Sequence, residues 1–232
     1  MQRLKTISLA AAYGARTGVY SISALDLLGM NKNKPTFSLE SSAWAEDRLF
    51  AACDEAGFGT AAGSMWIAAT IWPKNSIITP AMSGIKDSKK TTAEQRKEAV
   101  KLIKDSCQWF LWEVTAEQIN NGNPYWLRYE AADAGLDHLE PLVTCFDGNV
   151  CLKNSKHRNT CQVKGDSVSI SIAAASIIAK HAKDLECKEL HRKYPEYGFI
   201  NHSGYLTEEH IKALKTFGPA PCHRSKYISA HI

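Results

Sequence analysis

Apolar and polar positions change period several times along this chain, and each change predicts an element. Residues 49–53 are a short continuous apolar run that reads as a buried strand ending at Asp54. Residues 65–72, β-branched and aromatic until Pro73 stops the run, predict a second strand, and residues 107–114, with Trp109, Phe110, Leu111 and Trp112, a third. Between these two, Thr92 and Gln95 have capping-box spacing, and Ala99, Leu102 and Ile103 form one apolar stripe, so a surface helix is predicted over 92–105. Residues 124–139 suit another helix. Two further apolar runs, 142–145 and 161–163, each lead into an aspartate. The longest helical candidate is 167–186, rich in small residues nearly all round over 172–179; it is predicted to lie buried on the sheet with Asp166 or Ser167 capping it. A last helix follows Thr207. Strands first with helices interleaved later predict a mixed α/β sheet in one domain over 48–232, and residues 1–47 read as a short helical N-terminal extension with a polar connector over 31–42.

The chain's 232 residues suffice for a proper core, and no segment is long and apolar enough to span a membrane, so no membrane partner is expected. A net charge of +4 permits nucleic acid without requiring it. Seven cysteines without a Cys-x-x-Cys pair fit a reduced, cytoplasmic setting and no zinc site. Residues 1–25 carry Arg3, Lys5 and Arg16 with no acid before Asp26, as an organelle-targeting leader would. Their apolar core is short and broken by Tyr13-Gly14, so the cytoplasm is the expected location.

The candidate chemistry lies where the apolar runs end. Asp54 and Glu55 close the first strand directly before the turn Gly57-Phe58-Gly59, and Asp147 and Asp166 follow the two later strands. In an extended strand neighbouring side chains point to opposite faces, so Asp54 and Glu55 can share a site only where the strand frays. Four crowded carboxylates repel unless counter-charged, whereas two hard cations accept such ligands and support phosphoryl displacement; two magnesium or manganese ions are the expected cofactors. The glycines let a backbone approach a ligand and leave amides to meet anionic oxygens.

Eight segments, in order, carry a resemblance: Asp54-Glu55-Ala56-Gly57, Asp87-Ser88-Lys89-Lys90, Asp147-Gly148, Lys164-Gly165-Asp166-Ser167, the stretch from Ile172 to Lys180, Tyr194-Pro195, Gly204-Tyr205-Leu206-Thr207 with His210, and His223-Arg224. Over about residues 49–227 the chain resembles the type 2 ribonucleases H, and most of all bacterial ribonuclease HII. The resemblance implies a ribonuclease H-like fold, with a central five-stranded mixed sheet flanked by helices. It implies an endonuclease that cuts RNA in RNA/DNA hybrids and ribonucleotides embedded in DNA, leaving 5′-phosphate and 3′-hydroxyl ends. It places the metal ligands on Asp54, Glu55, Asp147 and Asp166, in agreement with the strand-end reading. It assigns recognition of the ribose 2′-hydroxyl, the atom that separates RNA from DNA, to the 57–59 turn and Tyr205. Lys89, Lys90 and Arg224 are expected phosphate contacts, and the protein is expected to act as a monomer.

Phe58 is the main departure, because bacterial members carry arginine between these glycines. The backbone contact survives the change and a guanidinium contact does not, so the preference for a single embedded ribonucleotide is expected to weaken. Lys183 and Ser203 stand where the family usually has arginine and lysine. Lys180 could serve the end of its helix or touch nucleic acid, and His202, His210 and His223 read as structural or surface residues. Two rivals are a ribonuclease HIII-like hybrid nuclease, whose large extra N-terminal domain does not fit into 47 residues, and a non-catalytic nucleic-acid-binding module on the same fold.

Overall fold

A computed structural model describes residues 34–232 except 87, 89, 90, 141 and 152–154. Five strands, β1 (Leu49–Ala56), β2 (Met65–Ile71), β3 (Gln108–Val114), β4 (Leu142–Asp147) and β5 (Arg158–Gln162), form one mixed sheet in the order β3-β2-β1-β4-β5. β1, β2 and β3 form an antiparallel meander, whereas β4 and β5 run parallel to β1, so the carboxyl ends of β1, β4 and β5 lie along one edge.

Among the described residues, helix α1 spans Ser38–Ala45, α2 Ala93–Ser106, α3 Ala116–Asn121, α4 Pro124–Leu136, α5 Ile170–Lys193 and α6 Glu208–Phe217. Helix α2 begins at the capping box predicted for it, with the Gln95 backbone N–H donating to Thr92 Oγ1 and the Gln95 side chain accepting from the Thr92 backbone N–H. Helix α5 covers one face of the sheet, and its small residues Ala173, Ala174 and Ala175 are wholly buried against it. Helix α4 packs on the other face through Tyr129, Ala132 and Leu136, under Phe146 and Trp112.

Four expectations are corrected. The connector read over 31–42 contains the start of α1, and the domain does not begin at 48: Phe37 and Trp44 are buried beside Trp72, and the buried Glu40 accepts from Ser169 Oγ at 2.6 Å and the Ser171 backbone N–H at 3.1 Å. The polar start of this helix hides it locally, because what holds it, Trp72 for the aromatic pair and Ser169 and Ser171 for Glu40, lies far along the chain. The cap of α5 is Ser169, whose side chain accepts from the Ile172 N–H, while Asp166 sits in a preceding 3-10 turn (Gly165–Ser167). Lys180 lies in the middle of α5, which continues to Lys193, and is paired with Asp184 at 2.7 Å, so it serves no helix end. Strand β1 continues through Asp54 and Glu55 to Ala56 instead of fraying, because β2 pairs with it as far as Trp66 opposite Ala56.

Candidate active site

Because β1 stays regular, Asp54 and Glu55 point to opposite faces of the sheet. Asp54 faces α5, where the Ser176 hydroxyl hydrogen-bonds its carboxylate and the Glu55 backbone N–H donates to Oδ1 at 2.8 Å. Ser176 also meets Ser88 Oγ at 3.0 Å, so Ser88 adjoins the hydroxyl that holds Asp54. Lys89 and Lys90 themselves lie outside the described residues. Asp147 ends β4, the strand parallel to β1, one step beyond the Cys53–Phe146 pair. Its Oδ1 accepts the Gly165 backbone N–H at 2.7 Å, which brings Asp166, the next residue, to the same edge.

Burial, then the like charges of Glu55 and Asp147, push the Asp54 carboxyl well above the usual carboxylate range, against the opposing hydrogen bonds from Ser176 and the Glu55 amide. Glu55 is turned toward α4, where Arg128 Nη1 donates to Oε1 at 2.8 Å. Among the described residues no three histidine, cysteine, aspartate or glutamate side chains surround a common point. Asp54 and Asp147, whose like charge raises the Asp54 pKa, share a sheet edge and a negative potential with Asp166 beside them, not a preassembled cage, while Glu55 is paired with Arg128. That potential suits hard cations with oxygen ligands.

The turn behind β1 is clamped from below. Gly57 has φ +85°, and a Cβ there would lie 2.9 Å from Ser64 O and 3.1 Å from the Lys183 side chain, so glycine is required. Arg224 departs from its expected role as a phosphate contact. It is fully buried, Nε donates to Gly63 O at 2.8 Å and Nη1 to Phe58 O at 2.9 Å, so it positions the turn. Its guanidinium serves two carbonyls of the sharp turn, and Tyr227 Oη shares one of them, Phe58 O, at 3.1 Å. Tyr205, by contrast, is 52% exposed, and a Cβ on Gly59 would be 3.9 Å from its ring. The tyrosine ring thus lies beside the turn with about half its surface open to solvent.

Three buried histidines hold the Tyr205 segment. His202 Nδ1 accepts the Gly204 N–H at 3.2 Å, which leaves Nε2–H to donate to Tyr197 O at 2.8 Å. Tyr205 O fixes the His210 proton on Nδ1 at 2.9 Å, so His210 Nε2 accepts from His223 Nε2–H at 3.0 Å, and His223 Nδ1 accepts the Ala220 N–H at 2.9 Å. Every ring is satisfied as neutral imidazole. Burial, chiefly, lowers the His210 pKa from 6.5 to about 4, with His202 and His223 adding to the effect against the bond to Tyr205. Below about pH 6.5 the unfolded chain takes up a proton that the folded chain refuses until about 4, so stability present above 6.5 is lost as pH falls through that window. Urea unfolding between pH 7.5 and 4.5 should show this loss, and His210→Gln should flatten it; an equally steep loss in the variant would contradict the assignment.

The sequence reading missed Ser176, Arg128 and the Lys183–Glu186 pair. The available signals were a hydroxyl inside an otherwise apolar helix and an arginine inside an aromatic run.

A protein-family model described as Ribonuclease HII matches residues 51–134 and 149–230. A ribonuclease HII from Clostridium tetani is 38% identical over 193 residues, covering 82% of this chain and 71% of that one. Among solved structures, ribonuclease H2 from Pyrococcus horikoshii aligns with a TM-score of 0.66 and 25% identity over 78% of this chain and 95% of that one. Bst-RNase HIII, solved in complex with Mn2+, aligns with a TM-score of 0.54 and 21% identity over 77% of this chain and 66% of that one, a likeness of fold.

Proposed function

This chain belongs to the ribonuclease HII family and is a type 2 ribonuclease H, and we propose that it hydrolyses RNA/DNA hybrids and ribonucleotides embedded in DNA with two divalent cations, leaving 5′-phosphate and 3′-hydroxyl ends. The observation that carries this reading is the placing of Asp54 and Asp147 near the carboxyl ends of adjacent parallel strands, with Tyr205 exposed beside the glycine turn. Asp54, Glu55, Asp147 and Asp166 are the residues that would hold magnesium or manganese. Such ions supply the positive charge that polarises a phosphodiester and lowers the pKa of an attacking water.

The protein's own groups do the rest. The backbone of Gly57, Phe58 and Gly59 receives the ribose, and Tyr205 stacks on it, with its carbonyl fixed by His210. Arg224 and Tyr227 both donate to Phe58 O, at 2.9 and 3.1 Å, so the recognition turn is rigid before substrate arrives. Water exclusion is modest, since Tyr205 is half exposed.

Incubation of a duplex with one embedded ribonucleotide, and of an all-RNA strand hybridised to DNA, with magnesium or manganese tests the reading. Both substrates should be cut at the phosphodiester flanking the ribose, and the preference for the single ribonucleotide should be weak because Phe58 brings no guanidinium to the turn. Strong, undiminished preference would sink the Phe58 argument. A gel shift without cleavage under either ion would instead favour the binding-module reading.

A further inference from the structure

An arginine missing from the turn is present next to it. Arg128, in α4, lies over the Phe58 ring at 5.1 Å from guanidinium carbon to ring centroid, and over Tyr125 and Tyr129 at 4.8 and 4.6 Å. Its Nη1 donates to Glu55 Oε1 at 2.8 Å and its Nη2 to Tyr129 Oη at 2.9 Å, while Nε is buried and unpartnered. The side chains of the Arg128–Glu55 pair are 13% and 19% exposed, so solvent and salt screen them little. The same guanidinium therefore touches one expected cation ligand and the side chain of the recognition turn.

A carboxylate already neutralised by a guanidinium is a poor cation ligand, since a cation must displace a charge-assisted hydrogen bond to use it. A backbone phosphate at the turn offers Arg128 an alternative partner of the geometry guanidinium groups favour, and the flat aromatic faces of Phe58 and Tyr125 line its course toward the turn. We propose that Arg128 is a positioning residue that latches Glu55 on the α4 face until a nucleic-acid phosphate at the Phe58 turn draws the guanidinium away and frees the carboxylate for a cation. The latch rests on the nuclease reading for the identity of Glu55 as a ligand. It makes cation binding and substrate binding mutually reinforcing, and linkage requires the coupling to act equally in both directions.

The test measures Mn2+ binding by the spin-resonance signal of free Mn2+, with and without an uncleavable 2′-O-methyl-RNA/DNA hybrid. It uses the full chain and the variants Arg128→Gln, Arg128→Lys and Phe58→Leu. Arg128→Gln should bind Mn2+ roughly three- to tenfold more tightly without nucleic acid, and the extra tightening that the hybrid gives the unaltered protein should nearly vanish. Phe58→Leu, which keeps the ion pair, should leave free-protein Mn2+ affinity unchanged while reducing the coupling. If Arg128→Gln does not fold, Arg128→Lys, which loses the fork geometry and the stacking but keeps the charge, should show the same changes in smaller degree. Affinity and coupling within twofold of the unaltered protein in the arginine variants would overturn the latch, even if both substrates are cleaved. Coupling that depends on Arg128 in a protein that cuts neither substrate would uphold the latch and reject the nuclease reading.

Discussion

Asp54→Asn should lower cleavage by about a thousandfold or more, equivalent to about 4 kcal/mol of transition-state stabilisation, while the cation-free protein becomes more stable. The two effects have one cause. The Asp54 carboxyl is buried beside Glu55 and Asp147, and its pKa is raised well above 3.8. An acid raised in the folded state favours folding only while protonated; between 3.8 and the raised value, losing its proton favours the unfolded chain. A charge on this carboxyl is therefore destabilising and is kept for its ligand chemistry, and asparagine preserves its shape and hydrogen bonds without that charge. Relief of about 1 kcal/mol would raise the thermal midpoint in EDTA by roughly 2–4 °C in a domain of this size. Hybrid binding should be largely retained. Near-normal turnover, or a fall in the midpoint, would contradict the role given to this residue.

Lys183→Ala should cost about 3–5 kcal/mol of stability, the largest loss expected of any single change near the site. Lys183 is 2% exposed, and its ammonium donates to Ala62 O at 3.1 Å, Ser64 O at 3.0 Å and Glu186 Oε2 at 2.9 Å. Glu186 in turn accepts the Ser64 N–H at 2.6 Å and Trp66 Nε1–H at 3.2 Å. Alanine would leave a largely buried carboxylate without its counter-charge and two carbonyls short of a donor, and would open a void under Gly57 and Gly63, where an added Cβ would meet this side chain at 3.1 and 2.6 Å. Thermal unfolding should show a midpoint lower by about 10 °C. A loss below about 1 kcal/mol would mean that water substitutes for the ammonium, and that the turn is not held by this pair.

Much of the fold was legible because its elements announce themselves locally. Four of the five strands are runs of apolar, β-branched or aromatic residues, whereas β5 (Arg158–Gln162) is polar and only its end was read, at 161–163; α2 carries its capping box in Thr92 and Gln95. The start and the docking of helix α1 were concealed. Its first residues fall in the polar stretch read as a connector, and burial of Phe37 and Trp44 beside Trp72, with Glu40 bonded to Ser169 and Ser171, makes a helix there worth forming. The extent of β1 was misjudged for the same reason, since whether Asp54 and Glu55 stay in the strand depends on pairing with β2, which a window of seven residues does not contain.

What the chain order alone determined is the set of groups available: four acids at or just after apolar runs, glycines where a backbone must bend, and a tyrosine after Gly204. Family membership follows from that order. Tertiary structure decided which way each group faces and what restrains it. It separated Asp54 from Glu55 across the sheet, turned Arg224 inward to hold carbonyls, and set Arg128 between Glu55 and Phe58. A charged side chain's partner is chosen by distance and burial in three dimensions, and positions 55, 58 and 128 become neighbours only when α4 packs on the sheet.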